Sequence, residues 1–130
     1  MGLMQWLGLD LGPESDPMAI SDDNYKVEVL KSDLPVLLDV WSPGCAPCTA
    51  LAPTIRRLAA KYQGRVKVAQ MNGAANPGIS SRLRIRGTPT VVLLKQGSEL
   101  ERVVGIRNQE YFEEMLEERL GTAPTPSQPH

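Results

Sequence analysis

Apolar and polar positions fall into short blocks whose period switches between about two and about four residues. Met18–Ile20 is a short strand candidate, followed by Ser21 as a possible N-cap with Asp22 and Asp23 where a helix N-terminus favours negative charge. Val36-Leu37-Leu38-Asp39-Val40-Trp41 is a near-continuous apolar run, the pattern of a strand covered on both faces. Cys48, Leu51, Ala52, Ile55, Leu58, Ala59 and Tyr62 then recur by threes and fours, one face of a helix that Pro53 should kink and Gly64 should stop. Val66, Val68 and Met71 suggest the next strand, and Asn76-Pro77 is a cap and first-turn pair for a short helix to about Leu83. Thr90–Leu94 reads as another buried strand, joined by Gln96-Gly97 to Leu100–Val104 as a hairpin. Asn108 caps a last helix whose apolar face is Phe112, Met115, Leu116 and Leu120, with Gly121 behind it.

The order is β-α-β-α-β-α-β-β-α, which predicts an α/β fold with a mixed sheet and helices on its faces. No internal repeat is visible, and 130 residues supply one core. Residues 1–17 read as an arm: Gly12-Pro13-Glu14-Ser15-Asp16-Pro17 is linker composition, and Leu3, Leu7 and Leu11 recur every four residues beside Trp6. That repeat fits either a short helix docking on a partner or a loosely held terminus, and short isolated helices are marginal. Residues 18–121 form the predicted domain. Residues 122–130, with three prolines, read as a disordered tail on which His130 is inert.

Composition removes whole classes of function. Fourteen Lys and Arg against fifteen Asp and Glu leave a net charge of −1, which argues against nucleic acid or a polybasic membrane contact. Two cysteines and one terminal histidine cannot build a four-ligand metal site within the chain, so no metal is expected. The first basic residue is Lys26 and Asp10 interrupts the early apolar run, so no secretion signal is read. No apolar stretch is long enough to span a membrane. A cytoplasmic location follows as the expectation, with cysteines that are reduced or cycle.

The chemistry concentrates in Trp41-Ser42-Pro43-Gly44-Cys45-Ala46-Pro47-Cys48, where the buried strand hands over to the helix. At a helix N-terminus the Cys45 thiolate is stabilised by unpaired N–H groups and the positive end of the helix dipole. Cys48 lies one turn further on the same face and can close a disulfide with Cys45. Pro47 suits a first turn, where a missing N–H costs nothing. A C-x-x-C at a strand–helix junction in a βαβ context reads as a redox pair.

With these residues in view the chain resembles thioredoxin, from about Met18 to Gly121. The resemblance is carried by the Cys pair, Leu38-Asp39-Val40-Trp41, Ala52-Pro53, Asn76-Pro77-Gly78, Ile85-Arg86-Gly87-Thr88-Pro89-Thr90 and Val104-Gly105. It implies the three-layer thioredoxin-like fold and a thiol–disulfide oxidoreductase that reduces protein disulfides through a Cys45–Cys48 dithiol without a bound cofactor. Pro89 becomes a cis-proline, and Thr88 a backbone edge for an incoming peptide. Asp39, expensive inside an apolar strand unless it reaches a wet edge, becomes a buried acid that takes the Cys48 proton.

Trp41, Gly44, Ala46, Pro47, Thr88, Pro89 and Gly105 are the substrate-contact candidates on the same basis. Implied partners are disulfide-bearing proteins and a flavoprotein reductase fed by NADPH, with the chain itself monomeric. Rival readings are an extracytoplasmic disulfide oxidase or isomerase, and a protein-binding module in which redox activity is incidental. Several positions depart from the family pattern. Gly44 replaces a tryptophan, Ala46 a glycine, and Thr49 and Gln70 residues that are commonly lysine. With Gln70 neutral, Asp39 is expected to be mostly protonated in the reduced protein near pH 7. Arg82, Arg84 and Arg86, and the glutamates of the last helix, read as solvated surface.

Overall fold

The structure, a computed structural model, describes residues 12–121. The Leu3, Trp6, Leu7, Leu11 repeat and the 122–130 tail with His130 lie outside the described residues.

Five strands form one sheet: β1 (Met18–Ala19), β2 (Val36–Trp41), β3 (Lys67–Asn72), β4 (Thr90–Lys95) and β5 (Ser98–Val104), ordered β1-β3-β2-β4-β5. β3 runs parallel to both β1 and β2, whereas β4 is antiparallel to β2 and β5. The sheet is therefore mixed, as the alternation of elements predicts. Gln96 and Gly97 connect β4 to β5 with φ of 50° and 88°, the positive pair that a tight two-residue hairpin requires.

β2 is central, and its side-chain alternation divides the core in two. Val36, Leu38 and Val40 point into one apolar cluster with Tyr25, Val29, Met71, Ile79, Val92 and Leu94. Leu37 points into the other, with Leu51, Ile55, Leu58, Leu93, Phe112 and Leu116. The first cluster is roofed by α1 (Lys26–Leu30) and α3 (Pro77–Arg82), the second by α2 (Ala46–Lys61) and α4 (Gln109–Leu120). This makes the three layers.

The helices differ from the expectations at three points. α1 is a five-residue π-helical segment, with Lys31 N–H donating to the carbonyl of Lys26. Ser21 does accept the Asp23 N–H, at 3.2 Å, but the turn it opens reaches helical geometry only from Tyr25. Asn76 does not cap α3 with its side chain. Its Oδ1 accepts the Asp22 N–H and its Nδ2 donates to the Asn72 carbonyl. The α3 cap comes instead from Asp22, whose carboxylate accepts N–H bonds from Gly78 at 3.1 Å and Ile79 at 2.8 Å. Residues more than fifty apart in sequence cannot advertise that bond.

α2 is continuous through Pro53, which lies on its exposed face. Its polar side is not purely solvated. Lys61 at its end, and Arg65 in the turn that follows, pair with Glu113 and Glu117 of α4, at 2.6 and 3.0 Å. The described part of the arm is also held. Ser15 N–H donates to the Arg56 carbonyl at 3.0 Å, and the Arg56 guanidinium pairs with Glu14 and Asp16.

Asp22→Ala should cost about 1 kcal/mol of stability, the usual value of an N-cap. Urea unfolding should show a lower midpoint with an unchanged slope; an unshifted midpoint would mean that the cap contributes nothing.

Candidate active site

The site is built where β2 ends and α2 begins, beside the loop that leads into β4. Cys45 is the N-cap residue of α2, with extended backbone at φ −94° and ψ 102°. That conformation aims its sulfur back over the first turn, where the Cys48 N–H donates to Sγ at 3.2 Å. Cys45 and Cys48 are joined as a disulfide with their Cα atoms 5.2 Å apart. Cys45 is half-buried and Cys48 buried, so one sulfur faces outward and the other lies beneath it.

The loop before β4 supplies the opposite wall. The Thr88–Pro89 peptide bond is cis. Cys45 Sγ lies 3.5 Å from the Thr88 carbonyl oxygen. The Thr88 N–H has no hydrogen-bond partner among the described residues, and β4 begins only at Thr90. Gly105 donates its N–H to the Pro89 carbonyl at 2.9 Å and so locks the neighbouring loop against the proline. Ala46 and Pro47 form the exposed first turn of α2. Gly44, at φ 73°, has no atom within 4 Å of where a Cβ would stand, so the lip beside Cys45 is open.

Beneath the disulfide is a pocket of ≈ 270 Å³. Asp39, Trp41, Gly44, Cys48 and Gln70 line it, with Ser42, Thr49 and Ala52 among the others. Asp39 is 4% exposed, and its Oδ1 has no hydrogen-bond partner among the described residues. Gln70 is its register partner on β3 and Val91 on β4, so no cation flanks it on the sheet. Desolvation by burial raises its pKa from 3.8 to about 7. Near pH 7 the acid is thus divided between its two forms.

The sequence-predicted residues therefore fall in two groups. Asp39, Trp41, Gly44 and Cys48 share the pocket, while Cys45, Thr88, Pro89 and Gly105 meet at the loop wall; Ala46 and Pro47 belong to neither and stand exposed on the first turn of α2. The sequence reading missed Ser42, whose Oγ lies 2.6 Å from Thr88 Oγ1 and ties the loop after β2 to the cis-proline loop. Two hydroxyls 46 residues apart have no spacing signature that could have paired them.

Comparison with known proteins gives the family. The family model "Thioredoxin" matches residues 16–118. Thioredoxin 1 of Nostoc sp. (strain PCC 7120) is 39% identical over 101 residues, which cover 78% of this chain and 94% of that protein. The thioredoxin of Synechocystis sp. (strain PCC 6803) is 42% identical over 66% of this chain and 80% of its own. That of Rickettsia felis is 41% identical over 69% and 86%.

Asp39 makes stability depend on pH with a definite sign. Its folded-state pKa lies above the unfolded value, so the native state binds the proton more tightly. The contribution is fully present below about pH 4 and is lost as pH rises toward 7 and above, a change of roughly 4 kcal/mol at about 1.4 kcal/mol per pKa unit. Urea unfolding of the oxidised protein between pH 5 and 8 should show wild type losing stability relative to Asp39→Asn, which should be the more stable of the two at pH 8. Parallel curves would place the carboxylate in solvent.

Proposed function

The chain belongs to the thioredoxin family and is a thiol–disulfide oxidoreductase, and on that premise we propose the part each residue plays. The observation that carries the reading is the position of Cys45 Sγ. It receives the Cys48 N–H at the start of α2 and faces an unpaired backbone edge at Thr88. A sulfur so placed is a stabilised thiolate when reduced, with a strand-addition site next to it.

The proposed reaction moves two electrons. Cys45 thiolate attacks one sulfur of a substrate disulfide; a Cys45–substrate bond forms, the substrate bond breaks, and its second sulfur leaves as a thiolate that takes up a proton. Cys48 then gives its proton to ionised Asp39 and attacks Cys45 Sγ. The Cys45–Cys48 disulfide forms, the Cys45–substrate bond breaks, and the departing sulfur leaves as a thiolate that takes up a proton, so that the substrate is released as a dithiol. A pKa of about 7 suits Asp39 to this exchange, because both of its forms are populated at the working pH. Trp41, Gly44, Ala46, Pro47, Thr88, Pro89 and Gly105 form the surface against which the substrate lies. The functional unit is residues 18–121, acting as a monomer in the cytoplasm. Disulfide-bearing proteins are its substrates, and an NADPH-fed flavoprotein reductase returns the pair to the dithiol.

Two experiments test this assignment. Cys48→Ser should accumulate a mixed disulfide with insulin, whereas Cys45→Ser should neither trap nor reduce it. A reversed pattern would exchange the roles of the two sulfurs. The reduction potential of the pair should fall near the thioredoxin value of about −270 mV; one about 100 mV higher would mark an oxidant instead.

Asp39 has its own signature. Asp39→Asn should slow release of the mixed disulfide in single-turnover kinetics. Gln70→Lys, by setting a cation opposite the acid, should lower its pKa in a carboxyl-carbon NMR titration. A pKa unmoved by the lysine would show that the two side chains do not interact.

A further inference from the structure

A second groove lies beside the chain that leads into Thr88, bordered by Gly87 on one side of the cis-proline and Thr90 on the other. It has a volume of ≈ 450 Å³ and is lined by Arg84, Arg86, Gly87, Thr90, Arg102 and Val104, with Glu99 at its edge. Gly87 immediately precedes Thr88, whose carbonyl meets Cys45 Sγ, and Thr90 and Val104 are paired at the same end of β4 and β5.

The charges in the groove do not cancel. Arg102 is committed. It donates to both Glu99 carboxylate oxygens, at 3.0 and 2.8 Å, and to the carbonyls of Leu83 and Arg84 behind α3. That leaves Arg84 and Arg86, both exposed, with side chains that make no hydrogen bond or ion pair among the described residues. Three arginines against one glutamate leave the groove lining with a surplus of two positive charges, although the chain as a whole carries −1. Val104, 60% exposed, gives the groove an apolar wall.

Arg84 adds an independent observation. Its φ is 54°, in the left-handed region that favours glycine, and it closes the turn behind α3 with its N–H donating to the Ser81 carbonyl. Backbone geometry alone would select glycine there. An arginine held against that preference points to a use for its side chain.

We infer that this groove is a substrate subsite for acidic peptide: Arg84 and Arg86 receive Asp or Glu carboxylates that flank the target disulfide. The inference rests on the reductase reading of the Cys45 site. A peptide strand pairing with the free Thr88 N–H passes Gly87, and at about 3.3 Å per residue its next two or three positions lie over the groove. Guanidinium groups suit carboxylates because they offer parallel donors. Partly exposed pairs contribute modestly and are screened by salt. The effect is therefore a preference among substrates rather than a requirement.

The test compares two synthetic peptides with one internal disulfide each, flanked by Glu-Glu or by Gln-Gln. The readout is the ratio of their kcat/KM values. Wild type should favour the acidic peptide by about 3- to 10-fold at low ionic strength, and the ratio should fall toward 1 in 0.5 M NaCl. Arg84→Gln/Arg86→Gln should bring it to 1 at low salt, and Arg84→Lys/Arg86→Lys should restore most of it. Arg84→Gly should reduce the ratio without lowering the thermal midpoint, which a merely structural arginine would not do. A wild-type ratio of 1, or a preference that survives the double Gln variant, overturns the subsite. Should wild type reduce neither these peptides nor neutral hydroxyethyl disulfide, the reductase reading fails instead. Equilibrium binding of the same peptides with serine for cysteine then decides the groove on its own: tighter binding of the Glu-Glu form supports it, and equal binding overturns it.

Discussion

A strand roofed on both faces has no wet side, and β2 is such a strand. Val36, Leu37, Leu38 and Val40 are sealed by apolar side chains from two helical layers, so every one of these positions stabilises the fold. Asp39 sits among them on the α2 side and cannot be solvated as a surface carboxylate would be. The same burial that fixes the position of β2 therefore raises the pKa of an acid that shares a pocket with Cys48. Core packing and acid–base chemistry come from one constraint.

The disulfide depends on that strand as well. β2 ends at Trp41, and a four-residue loop delivers Cys45 to the N-cap of α2. The helix then fixes the relation between Cys45 and Cys48 by its own hydrogen-bond geometry. The second wall comes from β4, the antiparallel neighbour of β2. Pairing in the sheet places the Pro89 loop beside Cys45 although 44 residues separate Pro89 from it in sequence. The Ser42–Thr88 hydroxyl pair closes the junction between the two loops.

The elements were legible because their periods are strong and their breakers well placed. The apolar run of β2, the three-and-four spacing of α2 and the Gln96-Gly97 turn each carry a local signal. The redox pair was legible for a similar reason, since its chemistry is written in four consecutive residues. Asp39 drew notice as a charge in an apolar run, but its burial follows from α2 lying over it, and its flanking by Gln70 from strand register. The Asp22 cap, the Ser42–Thr88 contact and the unpaired state of Arg84 and Arg86 are products of tertiary proximity. No residue type or spacing encodes them. The single turn of α1 was misread in kind, because Ser21 and its two acids look like any helix start until packing of Tyr25 and Val29 determines how the turn closes.

The clamp on Arg56 has a consequence for where residues 14–16 sit. Ser15 is fastened to the eleventh residue of α2, about 16 Å along the helix axis from Cys45 at 1.5 Å per residue. Residues 14–16 are therefore seated on the flank of that helix, about three turns from the cysteine pair. The place where residues 14–16 rest on the domain is set by one arginine, through its carbonyl and its guanidinium together, so a single side chain and its own backbone hold three consecutive residues at a distance from the redox centre.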